Sequence, residues 1–367
     1  NRLYGDAGDD TIISSGTNDV VDAGAGNNNI TISSTADAGE YTSGDGNDIY
    51  NIQEGASGKA TITSGGGIDK FNVNSSNLSN ADNTGIDINA NGEGVKTLNL
   101  NQGHVRKFDS GSGDDVITSS SGTTIGNHNY GSGINTRAGN DTITLDGFLI
   151  AGTSVNLGEG NDNLSINGGY QGSSSSSYIN GEAGNDTITV SGDNATRIRV
   201  YLGDGNDNLN AGVGNDVIYG GGNDDNLNGG GGNDVIYGGN NYYSAKGDDD
   251  SVDTAVFSGT SNDYKVYRAT DSTFGYVYYI QDTRDDSPDG LDTLYDIDQL
   301  RFSDGEFDLA DYYSDQEKGS QGDDELTGTS GDDLIEGFGG NDTITGLAGD
   351  DILIGGDGDD EIDGGSG

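Results

Sequence analysis

The residues with the clearest capacity for chemistry are aspartates that recur on a fixed beat. Between Gly319 and Asp363 the chain consists of five back-to-back nonapeptides, GSQGDDELT, GTSGDDLIE, GFGGNDTIT, GLAGDDILI and GGDGDDEID. Position 1 is always Gly, position 4 is Gly322, Gly331, Gly340, Gly349 and Gly358, and position 6 is Asp324, Asp333, Asp342, Asp351 and Asp360. A carboxylate behind a glycine-rich turn is a hard oxygen donor, and the glycines let the turn's carbonyls point at the same centre. Calcium takes about six to eight such oxygens at roughly 2.3–2.6 Å. Position 8 is aliphatic throughout (Leu326, Ile335, Ile344, Leu353, Ile362). The end of each unit therefore reads as a very short strand with one side chain facing inward. One such strand buries too little to fold alone. Stacking turn on turn gives an Ile/Leu ladder inside and a file of cations between the loops of neighbouring turns.

The nonapeptide resembles the RTX (repeats-in-toxin), or haemolysin-type, calcium-binding repeat G-G-x-G-x-D-x-U-x. The resemblance implies an all-β chain folded as a right-handed parallel β-solenoid, the calcium β-roll, with two nonapeptides per coil and several bound calcium ions. It also implies type I secretion, read from a C-terminal signal, to the extracellular space or cell surface of a Gram-negative-type bacterium. The chain opens inside a repeat (NRLYGDAGDD) and stops inside another at Gly364–Gly367, as expected of a segment of a longer secreted protein.

Composition fits a fold that needs a cation. Of 367 residues, 67 are Gly and one is Pro, and 63 acidic residues against 15 basic ones give a net charge of −48. A compact chain of that charge repels itself unless counter-ions enter the fold. Nucleic acid and anionic membranes are poor partners for the same charge. With no Cys, disulfides and thiolate metal sites are excluded. No apolar run approaches the roughly 18 residues of a membrane span, and no signal peptide opens the chain.

The elements that position the aspartates follow along the chain. From Gly5 the register runs through GDAGDDTII, SSGTNDVVD and AGAGNNNIT, with Asp10, Asp19 and the neutral Asn28 at position 6. The markers then fall at Asp48, Asp69, Asp115, Asp141, Asp162, Asp186 and Asp207, most gaps lying between 19 and 27 residues. That is one full coil, so this stretch is expected to carry calcium loops down one edge and variable loops on the other. Its second strands read as Ser154–Leu157, Tyr178–Asn180 and Arg197–Leu202. In NGEGVKTLN, Lys96 stands at the ligand position, and its ammonium is expected to take the cation's place; Asn28 should weaken binding rather than abolish it. The tight register returns at Asp207, Asp216, Asp225 and Asp234, with one more loop at Lys246-Gly-Asp-Asp. Residues 251–313 hold eight Tyr and four Phe, and Tyr264-Lys-Val-Tyr-Arg and Tyr276-Val-Tyr-Tyr-Ile alternate like antiparallel strands. Ser303-Asp-Gly-Glu reads as a hairpin turn, and Tyr312 to Lys318 as a link. The domain organisation is thus 1–250 solenoid, 251–318 Tyr-rich antiparallel unit and linker, 319–367 second β-roll.

No catalytic constellation competes with the calcium reading. His104 and His128 sit in loop-like contexts and read as solvated; H-E-x-x-H and G-x-S-x-G are absent. Nearly all carboxylate pairs fall on the repeat's ligand positions, whereas a glycosidase dyad needs one acid held away from cations in an apolar pocket. Two functions remain. One is a calcium-dependent extracellular structural or adhesive protein (surface layer, sheath, filament or adhesin) that self-associates into a sheet or filament or meets cell-surface polysaccharide. The other is the calcium-binding module of a secreted enzyme or toxin whose catalytic part lies elsewhere. Long one-edged stretches with irregular loops favour the first.

Overall fold

The computed structural model describes residues 1–33, 39–54, 56, 58–78, 85–126, 133–150, 152–171, 177–192, 197–239, 251–271, 275–285, 287–315, 321–328, 333–349 and 351–367. Contacts divide the chain into two units, Asn1–Val213 and Gly214–Gly367.

The first unit is a parallel β-solenoid. Each glycine-rich turn feeds a short strand, and these strands stack in register: Thr11–Ser14, Asn29–Ile32, Ile49–Ile52, Asp69–Asn74, Lys96–Gln102, Val116–Ser119, Thr142–Leu145, Asn163–Ile166, Thr187–Val190 and Asn208–Asn210. Residue-for-residue pairings such as Ile117↔Ile143↔Leu164↔Ile188 run up the sheet. A second parallel sheet faces it, built from strands including Gly39–Thr42, Lys59–Thr63, Gly85–Ala90, His104–Ser110, Ser154–Glu159, Tyr178–Ala183 and Arg199–Asp204. The core between them is a file of side chains, Ile30, Tyr50, Phe71, Leu98, Ile117, Ile143, Leu164 and Ile188, all buried. One departure from the sequence reading concerns strand length. Most of these strands hide two side chains each, as in Asn163–Ile166 with Leu164 and Ile166 inside. A coil whose far edge is closed by a longer loop does not have to turn after position 9, so the strand runs on by one inward residue.

The second unit starts in the same manner. Val217–Gly222 pairs in parallel with Val235–Gly239, and Asn226–Asn228 with Thr254–Val256. Two further strands from the aromatic-rich segment continue these ladders, Leu291–Tyr295 on Val235–Gly239 and Gln299–Phe302 on Thr254–Val256. Between them the antiparallel hairpin Tyr264–Asp271/Gly275–Asp282 forms, its second strand also antiparallel to Leu291–Tyr295. Gln299–Phe302/Gly305–Asp308 is the hairpin read from Ser303-Asp-Gly-Glu. Rings of Phe257, Tyr264, Phe302, Phe307 and Tyr312 pack at centroid distances of 5.0 to 5.9 Å. The supposed link from Tyr312 differs from expectation: Leu309–Asp315 is a helix with Tyr312 and Tyr313 buried, because those rings have an aromatic cluster to enter. A second small roll follows, with Glu325–Thr327, Thr343–Thr345 and Glu361–Asp363 in one parallel sheet and Leu334–Glu336 and Ile352–Ile354 in the other. Among the described residues no helix is long and apolar enough to cross a membrane.

Candidate metal centre

The turn explains its own composition. A Cβ on Gly229, at position 1, would lie 2.1 Å from Oδ2 of Asp234, the position 6 carboxylate of the same turn. Gly160, at position 4, has φ +140° and would put a Cβ 1.8 Å from the carbonyl oxygen of Gly139 one coil away. Glycine is therefore required both by the folded-back carboxylate and by the approach of successive turns.

Position 6 side chains form a chain of contacts along the stack, broken at Asp69, whose N–H donates to Val95 O at 3.0 Å because Lys96 offers no carboxylate. In the following links the backbone N–H donates to Oδ1 of the equivalent residue on the next coil. In the first unit the links run Asp10 to Asn28 (3.1 Å), Asn28 to Asp48 (2.8 Å), Asp48 to Asp69 (2.9 Å), Lys96 to Asp115 (2.6 Å), Asp115 to Asp141 (2.6 Å), Asp141 to Asp162 (2.6 Å), Asp162 to Asp186 (2.9 Å) and Asp186 to Asp207 (2.7 Å). The second unit has Asp216 to Asp234 (2.7 Å), and its small roll has Asp324 to Asp342 (2.9 Å), Asp333 to Asp351 (3.0 Å) and Asp342 to Asp360 (3.0 Å). Asp225 donates to Asp253 at 3.0 Å.

One carboxylate oxygen is thereby used and the other is left over. Oδ2 of Asp10, Asp162, Asp186, Asp234, Asp342 and Asp351 is buried with no donor. The same holds for Asp48, Asp115 and Asp141, whose neighbouring hydroxyls are shared with other oxygens: Ser43 Oγ with Ser64, Ser110 Oγ with Asn135 O, Thr136 Oγ1 with Leu157 O. A buried carboxylate oxygen without a donor is costly. Burial pushes Asp186 up to about 8, Asp115 to about 7 and Asp141, Asp162 and Asp207 to about 6, despite the backbone N–H each accepts. Stacked carboxylates add to this, as Asp207 does for Asp186.

Lys96 reveals what the site is shaped for. Its Nζ, fully buried, lies 2.8 Å from Gly67 O, 3.2 Å from Gly65 O, 3.3 Å from Glu93 O and 3.1 Å from Asp69 Oδ2. Gly65, Gly67 and Asp69 are positions 2, 4 and 6 of one coil, and Glu93 is position 3 of the next. A positive charge thus sits in a cage of carbonyls and one carboxylate between two turns. Asn28 does a neutral version of the same, its Nδ2 donating to Gly24 O at 3.2 Å and Gly26 O at 3.1 Å. Asp19 stands apart from the file on the other edge: Ser14 Oγ and the Gly16 N–H donate to its Oδ2 at 2.6 and 3.1 Å, and Asn1 Nδ2 to its Oδ1 at 3.0 Å. Among the described residues no three His, Cys, Asp or Glu side chains converge as a ligand set. Most oxygens for a bound ion must then come from the backbone, as around Lys96, and such an all-oxygen donor set fits calcium.

The structure adds residues that spacing concealed. Asp253 accepts from Asp225, Asp292 from Asp234 at 2.8 Å, and Asp298 from Asp253 at 3.3 Å. Gly290 occupies the position 4 place, a Cβ there falling 2.1 Å from Gly232 O. Burial, with Asp234 nearby, raises the Asp292 carboxyl well above its ordinary range. These aspartates arrive 28, 58 and 45 residues after their donors, so a nine-residue beat misses them. Their local signal is Asp-Thr-aliphatic or its like, Asp253-Thr-Ala and Asp292-Thr-Leu, as in Asp141-Thr-Ile. Position 5 has a role too, since Asn140 Oδ1 accepts Asn161 N–H at 2.8 Å and Asn161 Oδ1 accepts Asn185 N–H at 2.7 Å.

His104 is not solvated. It lies fully buried in strand His104–Ser110 with Nδ1 2.8 Å from Thr124 Oγ1, and burial lowers its pKa to about 4. The coil closes over it, which a local window could not show. His128 and the loop at Lys246 lie outside the described residues.

Comparison with protein families finds the RTX calcium-binding nonapeptide repeat at residues 1–30, 170–196, 201–236, 224–252, 318–353 and 336–367. Comparison with curated proteins gives no match. The chain carries RTX calcium-binding repeats, in several copies. The position 6 ladder between Asp48 and Asp162 has the same geometry, although the matched stretches do not include it.

Proposed function

We propose that this chain of RTX calcium-binding repeats is a secreted structural or adhesive component of a bacterial cell surface, of surface-layer, sheath, filament or adhesin type, that folds on meeting calcium after export. The observation that carries this reading is the stack of buried, donorless Oδ2 atoms beside carbonyl cages. Calcium, held by position 2, 3 and 4 carbonyls and the position 6 carboxylates, supplies the positive charge that the stack lacks. Asp253 and Asp292 extend the ligand series into the aromatic-rich segment. The organisation into a solenoid to 250, a Tyr-rich unit to 318 and a second roll belongs to the same reading.

The chain's own residues do the rest. Position 5 and 6 side chains index one coil on the next, glycines let the turns close, and the inward files pack once repulsion is lifted. Extracellular calcium modules bind at about 10⁻⁴ to 10⁻³ M, so cytosolic calcium would leave the chain open and export-competent. An adhesive or lattice role draws support from an outward ladder of amides in the first unit: Asn51 Nδ2 donates to Asn29 Oδ1 at 3.0 Å, Asn72 to Asn51 at 2.9 Å and Asn99 to Asn72 at 2.9 Å. Such a repeating polar face suits a polysaccharide or another copy of the chain. Circular dichroism during a calcium titration tests the folding step, and full β signal in chelator would overturn it. Sedimentation at millimolar calcium tests assembly: growth with calcium is expected, and a strict monomer would overturn the self-associating form.

A further inference from the structure

Lys96 sits in a region unlike the rest of the chain. Residues 59–137 contain Lys59, Lys70, Lys96, Arg106, Lys107 and Arg137 against Asp69, Asp82, Asp87, Glu93, Asp109, Asp114 and Asp115. Six positive and seven negative charges leave −1, so of the net −48 all but one falls elsewhere. Several cations are already placed: Arg106 on Asp87, Lys107 Nζ 3.0 Å from Asp109 and Arg137 Nε 3.1 Å from Asp109. Here, too, the Ile/Leu/Val file of the solenoid gives way to rings. Phe71 meets Phe108 edge-on at 6.0 Å, and on its other side stacks at 5.2 Å on Tyr50 of the preceding strand. Tyr41, Tyr50, Phe71, Lys96 and Phe108 head the largest fully buried side chains among the described residues.

Around Lys96 the requirement for metal is removed at the atomic level. Asp69 Oδ1 accepts Asp48 N–H at 2.9 Å; its Oδ2 accepts Ser64 Oγ at 2.5 Å and faces the ammonium at 3.1 Å. Asp48 and Asp115, in the flanking loops of the same ladder, keep Oδ2 without a donor. A tethered ammonium is always present at its site, whereas an ion must be bound from solution.

We infer that strands Lys59–Thr63, Asp69–Asn74, Gly85–Ala90, Lys96–Gln102 and His104–Ser110 form a calcium-independent core, in which Lys96 is the built-in cation of one coil and from which calcium-driven folding spreads to the coils on both sides. Aromatic burial and near-neutral charge hold this core without metal, and a folded coil offers its neighbour a ready edge, so the ordering cost of the next coil is met at calcium levels too low to start one from nothing. The inference rests on the calcium-folding reading above and adds where folding begins.

Hydrogen exchange of the full chain, read by peptide, tests it. In chelator, strands Asp69–Asn74, Lys96–Gln102 and His104–Ser110 should stay protected while the small roll at 321–367 exchanges freely. Fast exchange everywhere in chelator, with protection restored by calcium, would overturn this inference and leave the calcium-folding reading standing. Protection everywhere in chelator would overturn both. Two variants sharpen the test. Lys96→Asp restores the repeat motif; it should lose protection in chelator, recover it in calcium, and bind one more calcium per chain by native mass spectrometry. Lys96→Met should lose protection in chelator and recover less in calcium, because Asp69 is left buried opposite a thioether. Unchanged protection in chelator for both variants would overturn the role given to Lys96.

Discussion

The coils around Lys96 and the small roll at the C-terminal end share one turn chemistry and solve opposite problems. Residues 321–367 carry fourteen acidic residues and no Lys or Arg, a charge of −14 against −1 for the longer stretch 59–137. Among the described residues of this roll only Ile344 belongs to the fully buried apolar set, and Ile362 is 47 % exposed. Strands around Lys96 hide two or three side chains each, as Asp69–Asn74 does with Phe71 and Val73. The repeat motif therefore fixes geometry, not the balance of forces. That balance is set by what the motif's neighbours bury and by how many of its charges are answered within the protein.

The comparison breaks most directly at Phe71. Phe71→Ala removes the ring between Tyr50 and Phe108 and should cost about 3–5 kcal/mol. Denaturant unfolding should show that loss in calcium and in chelator alike for the core, while the small roll keeps its calcium midpoint. An equal loss in both regions would mean they fold as one.

Charge is the next lever. Asp333→Ala with Asp351→Ala removes carboxylates on successive coils of one edge of the small roll, joined by the 3.0 Å link. The roll's calcium midpoint should rise severalfold while that of the first unit is unchanged, measured by the same peptide-resolved exchange during titration.

Acid sharpens the comparison without mutation. Asp115, Asp141, Asp162, Asp186 and Asp207 titrate at about 6 to 8 in the folded chain, above the ordinary 3.8. A raised folded pKa means that the metal-free fold binds more protons than the open chain. Its contribution is complete below about 3.8 and disappears as pH rises through 6 to 8. In chelator, lowering pH from 8 to 5 should thus increase β signal in the calcium-dependent coils. In calcium the same change should raise the midpoint, since protons and calcium compete for one oxygen. A pH-independent midpoint would contradict the geometry of Oδ2.

Much of this was legible in the sequence, and the reason is locality. Six residues build a turn, so the nine-residue beat located the position 6 aspartates, and the lysine in one of them pointed to its place in the cage. What stayed hidden depends on residues far apart. Asp292 joins the ladder after a 58-residue excursion through a hairpin. His104 is buried where it meets Thr124, twenty residues on, and Tyr312 where it meets Phe302 and Phe307. Asp19 keeps the position 6 carboxylate, but with Ser14 and Thr17 where the motif has glycine, and it lies on the edge where Ser14 and Gly16 supply its donors.

The smallest expected effect lies at position 5. Asn161→Ala deletes the acceptor for Asn185 N–H and should cost about 0.5–1.5 kcal/mol, seen as faster exchange at that one coil step. No change there would leave register to position 6 alone.

That register has a consequence for how such a chain can vary. The donor and acceptor of a link are separated by 18 residues at one place and by 58 at another, yet the bond is the same. What is conserved along the edge is therefore punctuation, not distance. Whole passages can be inserted, lengthened or exchanged between two aspartates without moving any residue that follows, provided the passage ends on the next mark. A molecule written this way can change what it displays as freely as a text changes its clauses while keeping its full stops in line.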